Sequence, residues 1–141
     1  MNRRAHRIFL VEDNPGDVRL IRESLRAQDV EYELLHYETV DEAVRAVRAC
    51  GSDGNVPDLI LLDFNLPRGD ARDILAAASQ NPALAGVPRA VVTSSLAPKD
   101  RDQAMKLGAA CFINKPQELD AFLNEVGGSI VALLRTSGAG A

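Results

Sequence analysis

With 141 residues, 46% of them hydrophobic, and a formal net charge of −4, the chain has the size and apolar content of one soluble domain with a real core. The acidic balance and the lack of any basic cluster argue against direct binding to DNA or other nucleic acid. No apolar run approaches the ~20 residues of a membrane helix. The short run at 8–11 is cut off by acids too soon for a signal-peptide core, so the expected location is the cytoplasm, with no membrane contact. Cys50 and Cys111 match no zinc or redox spacing and read as reduced thiols.

Strand-like and helix-like patterns then alternate along the chain. "RIFLV" (7–11) is a short apolar strand. The helix that follows has Asn14 as its N-cap, Pro15 at its first position and Asp17 in its first turn, with Val18, Ile21 and Leu25 on one face. "YELLHY" (32–37) is a second strand. Thr39 and Glu42 stand at capping-box spacing before a helix striped by Val40, Ala43, Val44 and Val47. "GSDGNVP" is a loop and "DLILL" (58–62) the third strand. A helix over 69–80, a strand over 89–95, a helix over 98–108 and a strand over 110–114 complete the alternation. The last helix starts near Gln117 and carries Leu119, Phe122, Leu123, Val126, Ile130 and Leu133 on one broad face. Gly127 and Gly128 weaken its middle.

Five strands alternating with five helices predict a doubly wound (βα)5 domain: a five-stranded parallel sheet, helices on both faces, right-handed crossovers. One domain is expected over 1–135, with 136–141 as a flexible tail.

In "PDLILLDFNLPRGD" a fully aliphatic strand runs straight into Asp63. A lone buried carboxylate would cost several kcal/mol or take up a proton, so Asp63 must emerge at the sheet's rim beside something that stabilises it. Ligands of open α/β sheets bind at the carboxyl ends of the strands. Those ends carry Glu12-Asp13, Asp63, Thr93-Ser94 and Asn114-Lys115. Three clustered carboxylates raise a pKa unless a cation intervenes, and all-oxygen ligands favour Mg²⁺. Lys115 supplies a point charge for a phosphoryl oxygen. Thr93 supplies a hydroxyl, with Ser94 and Ser95 as alternatives. The set is suited to holding a phosphoryl group on or beside a carboxylate.

From about residue 7 to about residue 126 the chain resembles the receiver domains of two-component response regulators, whose fold is flavodoxin-like. "LVEDNPGD" resembles the family's acidic-pair segment, and "LILLDFNLPRGD" its phosphoacceptor segment. The resemblance implies that Asp63 takes a phosphoryl group from a sensor histidine kinase, directly or within a relay that includes a histidine phosphotransferase. Glu12, Asp13, Asp63 and the backbone carbonyl of Asn65 would hold Mg²⁺. Thr93 would be the switch hydroxyl, Phe112 in "CFINKP" the aromatic switch residue and Lys115 the site lysine, with a cis Lys115–Pro116 bond. "VEDNPGDVRLIRESL" and "CGSDGNVPD" are further similar to stand-alone receivers paired with phytochrome-type and hybrid kinases. With no output domain after residue 135, signalling is expected to pass through downstream proteins or through a homodimer made by the fourth and last helices, and the chain is not expected to be an enzyme.

Simpler readings exist for each residue. Asp63 could cap a turn before Pro67, Asp13 could cap the first helix, and threonine suits a strand. Phe112 could be core; Arg68, Asp70 and Arg72 read as solvated surface, and His6 and His36 show no partner spacing. A Mg²⁺-dependent phosphatase of the haloacid-dehalogenase type also uses a strand-end aspartate, but places its acid/base aspartate where Asn65 stands, and an amide cannot shuttle the proton. A dinucleotide-binding domain fails for want of a G-x-G-x-x-G after the first strand.

Overall fold

The computed structural model describes residues 5–52 and 56–138. Five strands, β1 (His6–Val11), β2 (Tyr32–Tyr37), β3 (Leu59–Leu62), β4 (Arg89–Thr93) and β5 (Cys111–Asn114), form one parallel sheet in the order β2-β1-β3-β4-β5. This is the flavodoxin-like order, and it places the reversal of winding between β1 and β3. Four helices connect the strands: α1 (Pro15–Ala27), α2 (Val40–Ala49), α3 (Arg72–Ser79) and α4 (Pro98–Lys106). A 3₁₀ turn at Pro82–Leu84 precedes β4. The C-terminal helix, α5, comprises an α-turn Leu119–Ala121, a π-turn Phe122–Val126 and a segment Gly127–Gly138.

Side-chain alternation divides the core into two layers. Ile8, Leu10, Leu59, Leu61, Ala90 and Val92 face α1 and α5, while Phe9, Val11, Ile60, Leu62 and Val91 face α2, α3 and α4. All four residues of β3 are fully buried, as a central parallel strand covered on both faces requires. The free thiols Cys50 and Cys111 fall in different layers, with the sheet between them.

The caps follow the sequence at two helices. The Asn14 side chain accepts from the Gly16 and Asp17 amides, and Thr39 Oγ1 accepts from the Glu42 amide. α5 departs from expectation in two ways. It runs to Gly138, past the boundary set at residue 135, and residues 139–141 of the expected tail lie outside the described residues. Its glycines do not break it. A Cβ on Gly127 would sit 2.9 Å from the Ser24 carbonyl oxygen, so this glycine lets α5 close onto α1. The buried residues Phe122, Val126, Ile130 and Leu134 recur every fourth position. That spacing drifts by about 40° per step in a regular α-helix, and the wider π-turn offsets part of the drift.

Candidate functional site

The ladder extends beyond the strand ends and fixes the site's backbone. The Glu12 amide donates to the Tyr37 carbonyl at 3.0 Å, the Asp63 amide to the Val11 carbonyl at 3.1 Å and the Lys115 amide to the Thr93 carbonyl at 2.9 Å. Alternation then selects which side chains meet. Glu12, Asp63 and Lys115 continue the rows of Ile8 and Leu10, of Leu59 and Leu61, and of Cys111 and Ile113, all of which face α1 and α5. Asp13 and Thr93 continue the opposite rows.

Lys115 reaches back into the notch between β1 and β3. Its ammonium donates to Glu12 Oε1 at 2.7 Å, Asp17 Oδ2 at 2.7 Å and Asp63 Oδ2 at 2.8 Å. An ammonium has three donors, and all three are in use. Only 8% of the Lys115 side chain is exposed, with Glu12 at 2% and Asp63 at 6%. The charge that follows "LILL" is thus stabilised by a buried counter-ion at the rim.

Three carboxylates around one ammonium leave excess negative charge. Burial pushes the Glu12 carboxyl up to about 7, even though Lys115 opposes this. Burial by itself would lower the Lys115 pKa; its bonds to Asp17, Asp63 and Glu12 outweigh that and hold it above the usual lysine range. Glu12, Asp17 and Asp63 each present an oxygen within 4.8 Å of the others, a set able to hold a metal ion. All-oxygen donors with unmet negative charge fit a hard divalent cation.

A second group lies on the α4 side. The Asn65 amide nitrogen donates to Asp63 Oδ1 at 2.9 Å, and its side chain donates to Thr93 Oγ1 at 3.1 Å. Asn65 therefore links the carboxylate to the buried Thr93 hydroxyl. Of the alternative hydroxyls, Ser94 is exposed and Ser95 Oγ donates to Asp100 Oδ2 at 2.6 Å. Phe112 packs edge-to-face on Phe64, with ring centroids 6.2 Å apart. Arg72 is exposed, as expected, yet has partners: it chelates Asp70 and donates to Gln103 of α4 at 2.6 Å. The pairing holds the Asp70 carboxyl below its usual range.

Four features differ from the sequence reading. Asp13 is exposed and lines a cavity of about 230 Å³ with Glu38, Thr39, Pro67 and Arg68, rather than joining the carboxylates around Lys115. The third carboxylate there is Asp17, which sequence reasoning treated only as a first-turn helix acid. The Lys115–Pro116 bond is trans, since the described residues contain no cis peptide; an X–Pro bond prefers trans by about 0.5–1 kcal/mol, and Lys115 reaches all three carboxylates from the trans form. His36, given no role, donates from Nε2 to the Glu12 carbonyl at 2.6 Å and helps fix the turn after β1. No helix among the described residues is long and apolar enough to cross a membrane.

Known proteins share this arrangement of chain and fold. Residues 8–127 match the family described as the response regulator receiver domain. Response regulator Rcp1 of Synechocystis sp. is 35% identical over 123 residues, covering 86% of this chain and 84% of Rcp1. The phosphorylated cyanobacterial phytochrome response regulator RcpA matches with a TM-score of 0.84 at 36% identity, over 94% of this chain and 96% of RcpA. The Mn²⁺-bound form of Rcp1 matches with a TM-score of 0.81 at 33% identity, over 93% of this chain and 96% of Rcp1. An acidic notch with a buried lysine at the sheet's switch point, set in a flavodoxin-like fold that matches the family along most of its length, places this chain among the response regulator receiver domains of two-component signalling.

Proposed function

We propose that Asp63 is the phosphoacceptor, taking a phosphoryl group from a phosphohistidine of a sensor histidine kinase or of a histidine phosphotransferase. The observation that carries this reading is the convergence of Asp63 and Glu12 on the Lys115 ammonium at the strand ends beside the β1/β3 switch point. In the transfer a carboxylate oxygen of Asp63 forms a bond to phosphorus as the histidine N–P bond breaks, and the freed imidazole is reprotonated from solvent. Lys115 donates to the phosphoryl oxygens, and the Thr93 hydroxyl turns towards them once it leaves Asn65. Mg²⁺, held by Glu12, Asp63, the Asn65 carbonyl and Asp13 turned inward, would neutralise charge on the phosphoryl oxygens. The existence of a Mn²⁺-bound form of the similar Rcp1 is in keeping with a divalent ion here.

Movement of Thr93 draws in the end of β4, lets Phe112 shift, and changes the face formed by α4, β5 and α5, a population shift biased by a local charge. Exposed Met105 and Leu119 lie on α4 and at the start of α5 and would contribute to docking of a downstream protein or a second copy. Most of the apolar stripe of α5 is already spent on the sheet, so a homodimer has less apolar surface there than the sequence promised. The likeness to the phytochrome response regulator RcpA favours a phytochrome-type kinase as the donor. The phosphatase reading gains nothing, because Asn65 is engaged with Thr93 and carries no transferable proton.

The test is incubation with acetyl phosphate, with and without Mg²⁺, read by intact mass. One added phosphate that requires Mg²⁺ and is lost in Asp63→Asn is expected; unchanged labelling in Asp63→Asn refutes the assignment.

A further inference from the structure

Asp17 has a role that its position in the helix does not require. An acid in a helix's first turn ordinarily completes the cap, its side chain bonding back to the N-cap amide. Here Asn14 caps the helix by itself, accepting from Gly16 and Asp17, and the Asn14 amide points to Glu12 Oε2 at 3.3 Å. The Asp17 carboxylate is left over from capping and crosses to Lys115 at 2.7 Å, a contact 98 residues distant in sequence. It holds the ammonium from α1, whereas Glu12 and Asp63 hold it from β1 and β3.

The ammonium's donors are exhausted by these three bonds. To bind a phosphoryl oxygen, Lys115 must give one up. The Asp63 oxygen stays at the reacting centre, and only 2% of the Glu12 side chain is exposed. Asp17, with 26% of its side chain exposed, is the partner whose carboxylate water can take over when the bond breaks. We propose that Asp17 is the resting partner of Lys115, competing with the phosphoryl group for the same N–H donor and so setting the balance between the resting and phosphorylated states. Asp17 is thus a positioning residue that acts through Lys115. The inference rests on Asp63 as phosphoacceptor, and the test separates the two.

The probe is beryllium fluoride, a phosphoryl mimic that binds a carboxylate, titrated at saturating Mg²⁺ into wild type, Asp17→Asn, Asp17→Glu, Lys115→Ala and the Asp17→Asn/Lys115→Ala pair. Removing the competitor should tighten binding by about tenfold in Asp17→Asn, equivalent to ~1.4 kcal/mol, and Asp17→Glu should return towards wild type. In the Lys115→Ala background the effect of Asp17→Asn should vanish. Persistence of the same gain without Lys115 shows mere relief of negative charge and overturns the proposal, as does unchanged binding in Asp17→Asn. A second readout needs no lysine variant: the side-chain ammonium resonance of Lys115 in ¹H–¹⁵N spectra should move in metal-free Asp17→Asn, and an unmoved resonance also overturns it. Should wild type itself bind no beryllium fluoride, the phosphoacceptor assignment fails rather than the role of Asp17.

Discussion

Raising the pH from about 5 to about 8 should destabilise the metal-free protein through one buried side chain, Glu12. The residue is 1% exposed, and its carboxyl titrates at about 7 in the folded chain, against 4.5 when unfolded. Between those values the folded state holds a proton that the unfolded state has released. For an acid raised in this way, the stabilising contribution is complete below 4.5 and is lost as the pH climbs through about 7. Each pKa unit corresponds to ~1.4 kcal/mol, so the loss amounts to about 3 kcal/mol, a large share of the 5–15 kcal/mol typical of a domain. Lys115, held above its usual range, stays charged throughout the window and adds no slope of its own. The assay is urea unfolding with a chelator present, comparing wild type with Glu12→Gln at both pH values. The stability of wild type relative to Glu12→Gln should fall by about 3 kcal/mol from the lower pH to the higher. Mg²⁺ at the higher pH should restore much of it, since the cation takes the place of the proton. A difference that stays level or grows with pH would show that Glu12 is ionised in the folded protein at both pH values and that burial does not raise its pKa.

Lys115→Ala should still bind Mg²⁺, seen by calorimetry, but should lose the conformational response to phosphorylation; an unchanged response in NMR spectra of the α4–β5–α5 face removes Lys115 from the mechanism. Gly127→Ala places a methyl 2.9 Å from the Ser24 carbonyl and should cost about 1–3 kcal/mol in chemical unfolding, despite the better helix propensity of alanine. Asp29, just past α1, has φ 56°, and Asp29→Gly should stabilise by roughly 0.5–1 kcal/mol, read as a raised unfolding midpoint.

The strand ends were legible because the sequence writes them as contrast: an aliphatic run followed at once by a charge. Glu12 and Asp63 stand out for that reason, Lys115 follows its apolar run after one polar residue, Asn114, and parallel strands leave all three no choice but to share an edge. Period-two alternation also separates Glu12 from Asp13. Neighbours at a strand end point to opposite faces, and Asp13 accordingly turns to the loop that leads into α2. Asp17 was not legible. Its position satisfies an ordinary rule of helix starts, and its real partner depends on how α1's first turn is aimed at β5. The glycines of α5 misled for the same reason, since their propensity cost is local while the close approach to Ser24 exists only after α1 and α5 pack. The four-residue recurrence of Phe122, Val126, Ile130 and Leu134 was in the sequence all along, and a regular helix cannot keep that spacing on one face.

Charge counting at the notch explains why one lysine cannot carry the phosphorylated state alone. With all three carboxylates ionised, Lys115 leaves two negative charges uncompensated. Phosphorylating Asp63 removes its own carboxylate charge but adds about −1.5 to −2, so the deficit deepens, and it does so where the side chains are almost wholly buried. Protonating Glu12 relieves one charge in the resting state, yet its carboxyl titrates at about 7 and is half-ionised near neutrality. Glu12 and Asp63 could serve as oxygen donors to a divalent cation, which would offset the deficit. Lys115 would then be released from compensating for them, and its ammonium could follow the phosphoryl group. On this account the cation and the mobility of Lys115 are one requirement, and Asp17 decides how readily the lysine leaves.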